Sequence, residues 1–226
     1  MKRGRGENTQ DLGRRSADKE QSKAERRGIK MKLIMATGNR NKVQEIRQML
    51  EGTGIEVLSM KDEGLTAEIE ENGTTFEENA AIKAETIRDL SGQTVIADDS
   101  GLEIDALGGA PGIHSARFMG EDTSYVIKNQ ALLDQMKETP EQERTARFVC
   151  AVAIASPGLE TKVFRGTFEG RIAYEARGEN GFGYDPIFYV PEKDCTSAEL
   201  SPEEKNAMSH RGKAIRLAVE YLKNEG

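Results

Sequence analysis

From Met31 onward the chain alternates short apolar runs with segments of helical periodicity, and this pattern limits the fold more than any other feature. Lys32–Thr37 reads as a strand, and Val43, Ile46, Met49 and Leu50 follow at helical spacing. Ile55–Ser59 is a second strand. Thr75-Phe-Glu-Glu78 has the form of a capping box, with Ala80, Ala84 and Ile87 as the apolar stripe behind it. Thr94–Asp98 is expected as a third strand and Leu102–Asp105 as a short fourth, with a polar turn between them. Thr123–Glu138 reads as an amphipathic helix carrying Val126, Ile127, Leu133 and Met136. Arg144–Ser156 and Thr161–Ala173 read as a long antiparallel pair around Pro157-Gly158, and Ile187–Val190 as another strand. Ser201-Pro-Glu-Glu204 supplies an N-cap, a proline at the first helical position and a glutamate at the third, so a helix is expected from Pro202, broken near Gly212. Strands alternating with helices, then a longer β section, predict an α/β fold on a mixed central sheet flanked by helices.

Residues 1–30 stand apart. They hold 10 Lys/Arg and 5 Asp/Glu with hardly any large apolar residue, which predicts a disordered basic extension ahead of a domain over 31–226. The remainder has 22 basic and 34 acidic residues, a formal charge of −12. That balance speaks against a dedicated nucleic-acid partner, although it leaves open a nucleotide enzyme with a locally positive cleft. Trp is absent and aromatics are 5% of the chain, which argues against stacking on a run of bases. No apolar stretch reaches the about 20 residues that span a bilayer, and the N-terminus has no secretory h-region, so a cytoplasmic protein is expected. The two cysteines, Cys150 and Cys195, are expected as free thiols there.

Four clusters carry chemistry. Thr37-Gly-Asn-Arg-Asn-Lys42 joins a strand to a helix, where backbone N–H groups, the positive helix end and the Lys42 ammonium favour a phosphate; an ordinary βα turn has the same pattern. Glu70-Glu71 precedes a helix on which Asn79 and Lys83, four apart, share a face, so acids and a lysine can serve a metal and a triphosphate together. In Asp98-Asp99-Ser100-Gly101, adjacent strand residues face opposite sides, so at most one aspartate points into a given site while the strand persists. Carboxylates there suit Mg²⁺ and can accept a proton. Gly181-Phe-Gly-Tyr-Asp-Pro186 lets backbone approach a flat ligand around a stacking Phe, with Lys205, His210 and Arg211 downstream as donors. On one unbroken helix those three would not share a face, so the chain is expected to bend near Ser209–Gly212 if all reach one ligand.

Together these residues resemble the inosine and xanthosine triphosphate pyrophosphatase family. The resemblance covers Met31 to about Leu222. It rests on Ala36-Thr-Gly-Asn39 with Lys42 and Glu45, and on Thr75-Phe76, Glu78-Asn79-Ala80 and Lys83-Ala84. Ala97-Asp-Asp-Ser-Gly-Leu102, Gly108-Gly-Ala-Pro-Gly112, Ser115-Ala-Arg117, Gly181 to Pro186 and Ser209-His-Arg-Gly212 complete it. His114 and Asn72 stand where the family often has Tyr and Thr.

The resemblance implies an elongated two-lobed domain with the nucleotide in a cleft between the lobes, and a homodimer. It implies hydrolysis of dITP, ITP or XTP to the monophosphate and pyrophosphate, with Mg²⁺ as cofactor. Asp99 is then the expected proton acceptor and a metal ligand, with Glu70 at the metal. Thr37, Gly38, Asn39, Arg40, Asn41 and Lys42 would line the nucleotide site, with Lys83 near the phosphates. Ser100, Phe182, Gly183, Tyr184, Asp185, Lys205, His210 and Arg211 would complete it. A pyrophosphatase for other modified nucleotides, a non-catalytic nucleotide sensor and an RNA-associated protein using the basic tail are the competing readings; Glu70 and Asp99 speak against the sensor.

Overall fold

A computed structural model describes residues 31–225. The expected N-terminal extension lies outside the described residues. Among the described residues seven strands form one mixed sheet in the order β2-β1-β3-β4-β5-β6-β7. β1 (Met31–Met35) is parallel to β2 (Ile55–Ser59) and to β3 (Val95–Ile104). From β3 on, the pairing is antiparallel through β4 (Thr145–Ala155), β5 (Lys162–Ile172), β6 (Phe188–Val190) and β7 (Cys195–Thr196). The expected β4–β5 hairpin forms with Phe148 opposite Phe168 and its turn at Pro157-Gly158, where Gly158 takes a φ of 77°.

Five helices flank the sheet among the described residues. They are α1 (Arg40–Leu50), α2 (Phe76–Ser91), α3 (Tyr125–Gln135), α4 (Pro202–Met208) and α5 (His210–Glu225). Apolar side chains divide by strand parity, as a pleated sheet requires. Ile96, Cys150, Val152 and Ile154 face α1 and α5, where Val43, Ile46, Ala214 and Ile215 pack on them. Val95, Ala97, Val149 and Ala151 face α2, meeting Phe76, Ala80, Ala84 and Ile87. A third core lies toward the far ends of the long strands: Leu102, Ile104, Phe148 and Phe168 pack with Leu132 of α3, Phe188 and Leu200. The chain thus has two lobes threaded by the same three long strands.

Two expectations change. The acid pair does not sit in a turn: β3 runs unbroken for 10 residues, because β4 pairs with it from Val95↔Ala155 to Ile104↔Ala146. Gly101 lies inside that strand because the 112–115 turn presses on it; a Cβ there would stand 2.3 Å from the Gly112 carbonyl oxygen. On α3 the inward stripe is Lys128, Asn129, Leu132 and Leu133, with Met136 at its end, while Val126 is 79% exposed and Ile127 54%. Those two apolar residues belong to the outer face, and the buried Lys128 is held by the Ala116 carbonyl. The last helical stretch breaks at Ser209 (ψ 159°), within the Ser209–Gly212 stretch where a bend was expected. Gly212 is the contact point of the two pieces, where a Cβ would meet the Asn206 carbonyl.

Candidate active site

The two lobes enclose a cleft of about 810 Å³, within the about 300–1,000 Å³ common for small-molecule sites. It opens where β1 stops at Met35 while β3 continues past Ile96, leaving the later part of β3 free on that side. The carboxyl ends of parallel strands are where α/β sheets commonly take ligands. The local sequence places each group. Asn39 caps α1, its side chain accepting from the amides of Asn41 (3.0 Å) and Lys42 (3.3 Å). These amides are therefore satisfied within the turn, and the strongest attraction it offers an anion is the Lys42 ammonium. Thr75 caps α2 by accepting from the Glu78 amide, while the Glu78 carboxylate reaches back one residue further, to the amide of Thr74. That cap fixes the start of the helix whose next turns carry Asn79 and Lys83.

The two aspartates of β3 divide as sheet parity requires. Asp99 faces α2, with Lys83 Nζ at 2.9 Å and Asn79 Nδ2 at 3.4 Å. Lys83 also reaches Glu71 at 3.3 Å. Burial lifts the Asp99 carboxyl above the usual carboxylate range against the pull of Lys83. Burial also works against the Lys83 ammonium, but Asp99, Asp98 and Glu71 outweigh it and raise its pKa.

Asp98 faces the other way and is fully buried. Its Oδ2 meets Lys42 Nζ at 3.0 Å, Ser100 Oγ at 3.1 Å and the Arg211 guanidinium at 3.2 Å. Burial alone would raise this carboxyl; Lys42, Arg211 and Lys83 reverse that and hold it well below the usual range. Its Oδ1 has no partner.

Phe182 also lines the cleft and sits between Gly181 (φ 74°) and Gly183 (φ 72°). Both glycines are in the left-handed region, and a Cβ on Gly181 would fall 2.2 Å from Asp185 Oδ2. Asp185 fixes this loop by accepting from the Phe182 amide (2.8 Å), Ser197 Oγ (2.9 Å) and Lys205 Nζ (2.6 Å). The Tyr184 hydroxyl donates to the Ser115 carbonyl at 2.7 Å, tying the loop to the turn that presses on β3. Lys205 Nζ and the Arg211 guanidinium stand 5.1 and 5.6 Å from the Phe182 ring centre. His210 stacks on Phe148 at 4.9 Å. Burial, with Arg211 and Lys205 close by, drives its pKa well below 6.5, so the imidazole is neutral, and its Nδ1 is unpartnered.

The bend at Ser209 brings Lys205, His210 and Arg211 to one cleft, as the spacing required. Of the sequence-predicted residues, Thr37, Gly38, Asn39, Arg40, Lys42, Lys83, Asp99, Ser100, Phe182, Gly183, Tyr184, Asp185, Lys205, His210 and Arg211 all line it. Two do not. Asn41 lines a small recess behind Phe182. Glu70 is exposed, and its neighbour Glu71 turns inward to Lys83. In the extended segment before α2, consecutive side chains point to opposite sides, so only one of the pair can face the lysine. Sequence reasoning also passed over Asp98 as the partner of Lys42 and Arg211, and Glu45 as the partner of Lys205 and Arg211. Lys42 and Glu45, three apart on α1, gave the available signal for one shared face.

The Ham1 family profile matches residues 33–221. The chain belongs to the Ham1 family. The dITP/XTP pyrophosphatase of Bacillus licheniformis is 53% identical over 184 residues, spanning 81% of this chain and 94% of that one. The Bacillus subtilis protein of the same name is 50% identical over 194 residues, 86% of this chain and 98% of its own. The structure of the Staphylococcus aureus Ham1 protein superposes with a TM-score of 0.78 at 44% identity, covering 86% of this chain and all of that one. The Coxiella burnetii HAM1 protein gives the same TM-score at 39% identity, covering 86% and 99%. The α/β fold expected from the alternating pattern is thus the Ham1 fold. Both cysteines of this Ham1 chain are free thiols, as anticipated. Among the described residues no helix is long and apolar enough to cross a membrane.

Among the described residues no group of three or more His, Cys, Asp and Glu side chains is placed to hold a metal by itself. Asp99 and Glu71, drawn to the same lysine, are nonetheless two hard oxygen donors on the cleft wall. That set fits Mg²⁺, which is commonly bound by one or two carboxylates while substrate phosphates and water complete its shell. The charge balance agrees. Four cations (Lys42, Lys83, Lys205, Arg211) are already paired with five carboxylates (Glu45, Glu71, Asp98, Asp99, Asp185). A polyphosphate entering this cluster calls for further positive charge.

Proposed function

We propose that this chain hydrolyses non-standard purine nucleoside triphosphates (dITP, ITP and XTP) to the nucleoside monophosphate and pyrophosphate. One observation carries the reading: a buried Asp99–Lys83 pair with Glu71 beside it shares a single cleft with a glycine-flanked Phe182 edged by Lys205 and Arg211. The first group suits phosphate chemistry and the second a flat base. The names of the Bacillus relatives, dITP/XTP pyrophosphatase, agree with it.

In this mechanism Asp99 accepts a proton from the water that attacks the α-phosphorus, a task its burial-raised pKa favours. Lys83 and Lys42 stabilise charge on the phosphates, with Arg40 and the Thr37–Asn39 turn lining the same cleft. Asp99 and Glu71 would hold Mg²⁺, with Glu70 one residue away. When bound, the metal supplies charge neutralisation and Lewis acidity to the phosphates. Phe182 offers its face to the purine. His210, neutral and with an unpartnered Nδ1, and Arg211 offer hydrogen bonds to a 6-oxo group. Adenine presents an amino donor there, and an unpaired buried donor in a site built for an acceptor gives discrimination of about 10⁴ or more. The same reading puts the enzyme in the cytoplasm with its nucleotide substrates, and as a homodimer for which the exposed Val126 and Ile127 of α3 offer an apolar surface.

The test is incubation with ITP and Mg²⁺. IMP plus pyrophosphate is expected; IDP plus phosphate would end the proposal. Comparable turnover of ITP, ATP and GTP would end the specificity reading, and a panel of other modified triphosphates separates this enzyme from a relative of different preference.

A further inference from the structure

Glu45 lies three residues along α1 from Lys42, but its carboxylate does not line the main cleft. It lines a separate recess of about 150 Å³ behind Phe182. From there Oε1 accepts from Lys205 Nζ at 3.1 Å, and Oε2 accepts from Arg211 Nη1. These are the two cations beside the Phe182 ring. Each has one further carboxylate partner: Lys205 pairs with Asp185 at 2.6 Å, and Arg211 with Asp98 at 3.2 Å. Asp98 in turn takes Lys42 at 3.0 Å. The result is an alternating chain of three cations and three carboxylates, Lys42–Asp98–Arg211–Glu45–Lys205–Asp185. Of the other titratable groups here, His210 is neutral, and burial raises the Cys150 thiol, which lies 4.0 Å from Asp98, and the Tyr184 hydroxyl, so both stay protonated. Asp98 is matched by Lys42, and the two cations beside Phe182, Lys205 and Arg211, are matched by Asp185 and Glu45; Glu45 is the link between them.

Hypoxanthine and xanthine differ in charge as well as in shape. Xanthine nucleotides carry a second oxo group and lose a ring proton near neutral pH, whereas hypoxanthine nucleotides keep theirs. A net positive edge would favour the xanthine anion, and a balanced edge accepts both. We propose that Glu45 is a positioning residue that keeps the base end of the cleft neutral and so sets the relative preference for hypoxanthine and xanthine nucleotides. This rests on the function proposed above. Glu45 acts through Lys205 and Arg211 rather than by touching the base.

The experiment measures kcat/KM for XTP and ITP, in the full-length protein and in Glu45→Gln, across a range of pH. The two substrates share ribose and triphosphate, so any loss of folded protein or of phosphate binding cancels in their ratio. The variant leaves about one uncompensated positive charge beside the base, and an XTP/ITP ratio raised roughly tenfold, mainly through KM, is expected for a charge pair at this range. The excess should fade as pH is lowered through the xanthine ionisation. A ratio within about twofold of the parent, or a rise that persists at acid pH, overturns the proposal. Should the variant fail to fold, competitive inhibition of the parent protein by XMP and IMP decides. Neutrality predicts an affinity ratio that changes by less than about threefold across the ionisation, and a steep preference for the XMP anion overturns it. Failure of the parent to hydrolyse either triphosphate would instead refute the function on which this rests.

Discussion

Asp98→Asn removes a charge from the most enclosed ion pair among the described residues while keeping the shape of the side chain. In the native chain Asp98 Oδ2 is contacted by Lys42 Nζ at 3.0 Å and by Arg211 Nη2 and Nε at 3.2 and 3.3 Å, with no exposed surface. Removing one partner of a buried pair leaves the other uncompensated and costs about 3–5 kcal/mol. Arg211 keeps Glu45, and Lys42 is partly exposed, so the lower end, about 3 kcal/mol, is expected. That is a large share of a stability of about 5–15 kcal/mol. Urea denaturation should show the midpoint falling with the slope unchanged. The pH dependence supplies a second check. A carboxyl depressed on folding contributes stability that is fully present above its unfolded value, about 3.9, and is lost as pH falls through the folded value. The native protein should therefore lose this contribution in strong acid, below about pH 4, and the variant should lack that part of the slope. A loss under about 1 kcal/mol, or an unaltered acid limb, would refute the view that Asp98 is held ionised by its two cations.

Three further outcomes follow from the same geometry. Asp99→Asn should fold normally and lose turnover by about 10³-fold or more, and steady-state assays showing near-parental kcat would remove Asp99 from the chemistry. Gly101→Ala places a Cβ 2.3 Å from the Gly112 oxygen and should destabilise by about 1–3 kcal/mol, measured as a lowered Tm; an unshifted Tm would mean the turn yields freely. His210 has a folded pKa below its unfolded value, so as pH drops below about 6.5 the unfolded state takes up a proton that the folded state resists. Stability should fall over that window, and His210→Gln should flatten the fall; an identical slope in the variant would refute a buried neutral imidazole.

Much of the fold was legible in the chain because its signals are local. Ile55–Ser59 appears as a strand with the expected bounds, and Ser201 with Glu204 forms the reciprocal cap their spacing announced. Four clusters distant in sequence were assigned to one site through the family resemblance, because each by itself also fits an ordinary turn, loop or surface pattern. Parity along β3 correctly separated Asp98 from Asp99, since alternation is a property of any extended chain.

Other features needed partners that the sequence does not name. Asp98–Gly101 reads as a turn until β4 is laid beside it, when the ladder makes it the middle of a strand. Val126 and Ile127 read as core residues of a helix, yet the face that α3 buries was chosen by what it packs against, including the lysine Lys128, held by a backbone carbonyl. Which of Glu70 and Glu71 meets Lys83 depends on the path of an extended segment over α2, and the pairing of Glu45 with residues 160 and 166 positions away depends on how α1 and the α4–α5 bend dock together. The sequence by itself determined which segments are helix and strand and which residue types could do phosphate chemistry, because propensity, capping and periodicity act within a few residues. Only the tertiary structure decided which charges meet, because a buried charge finds its partner through packing, not through distance along the chain.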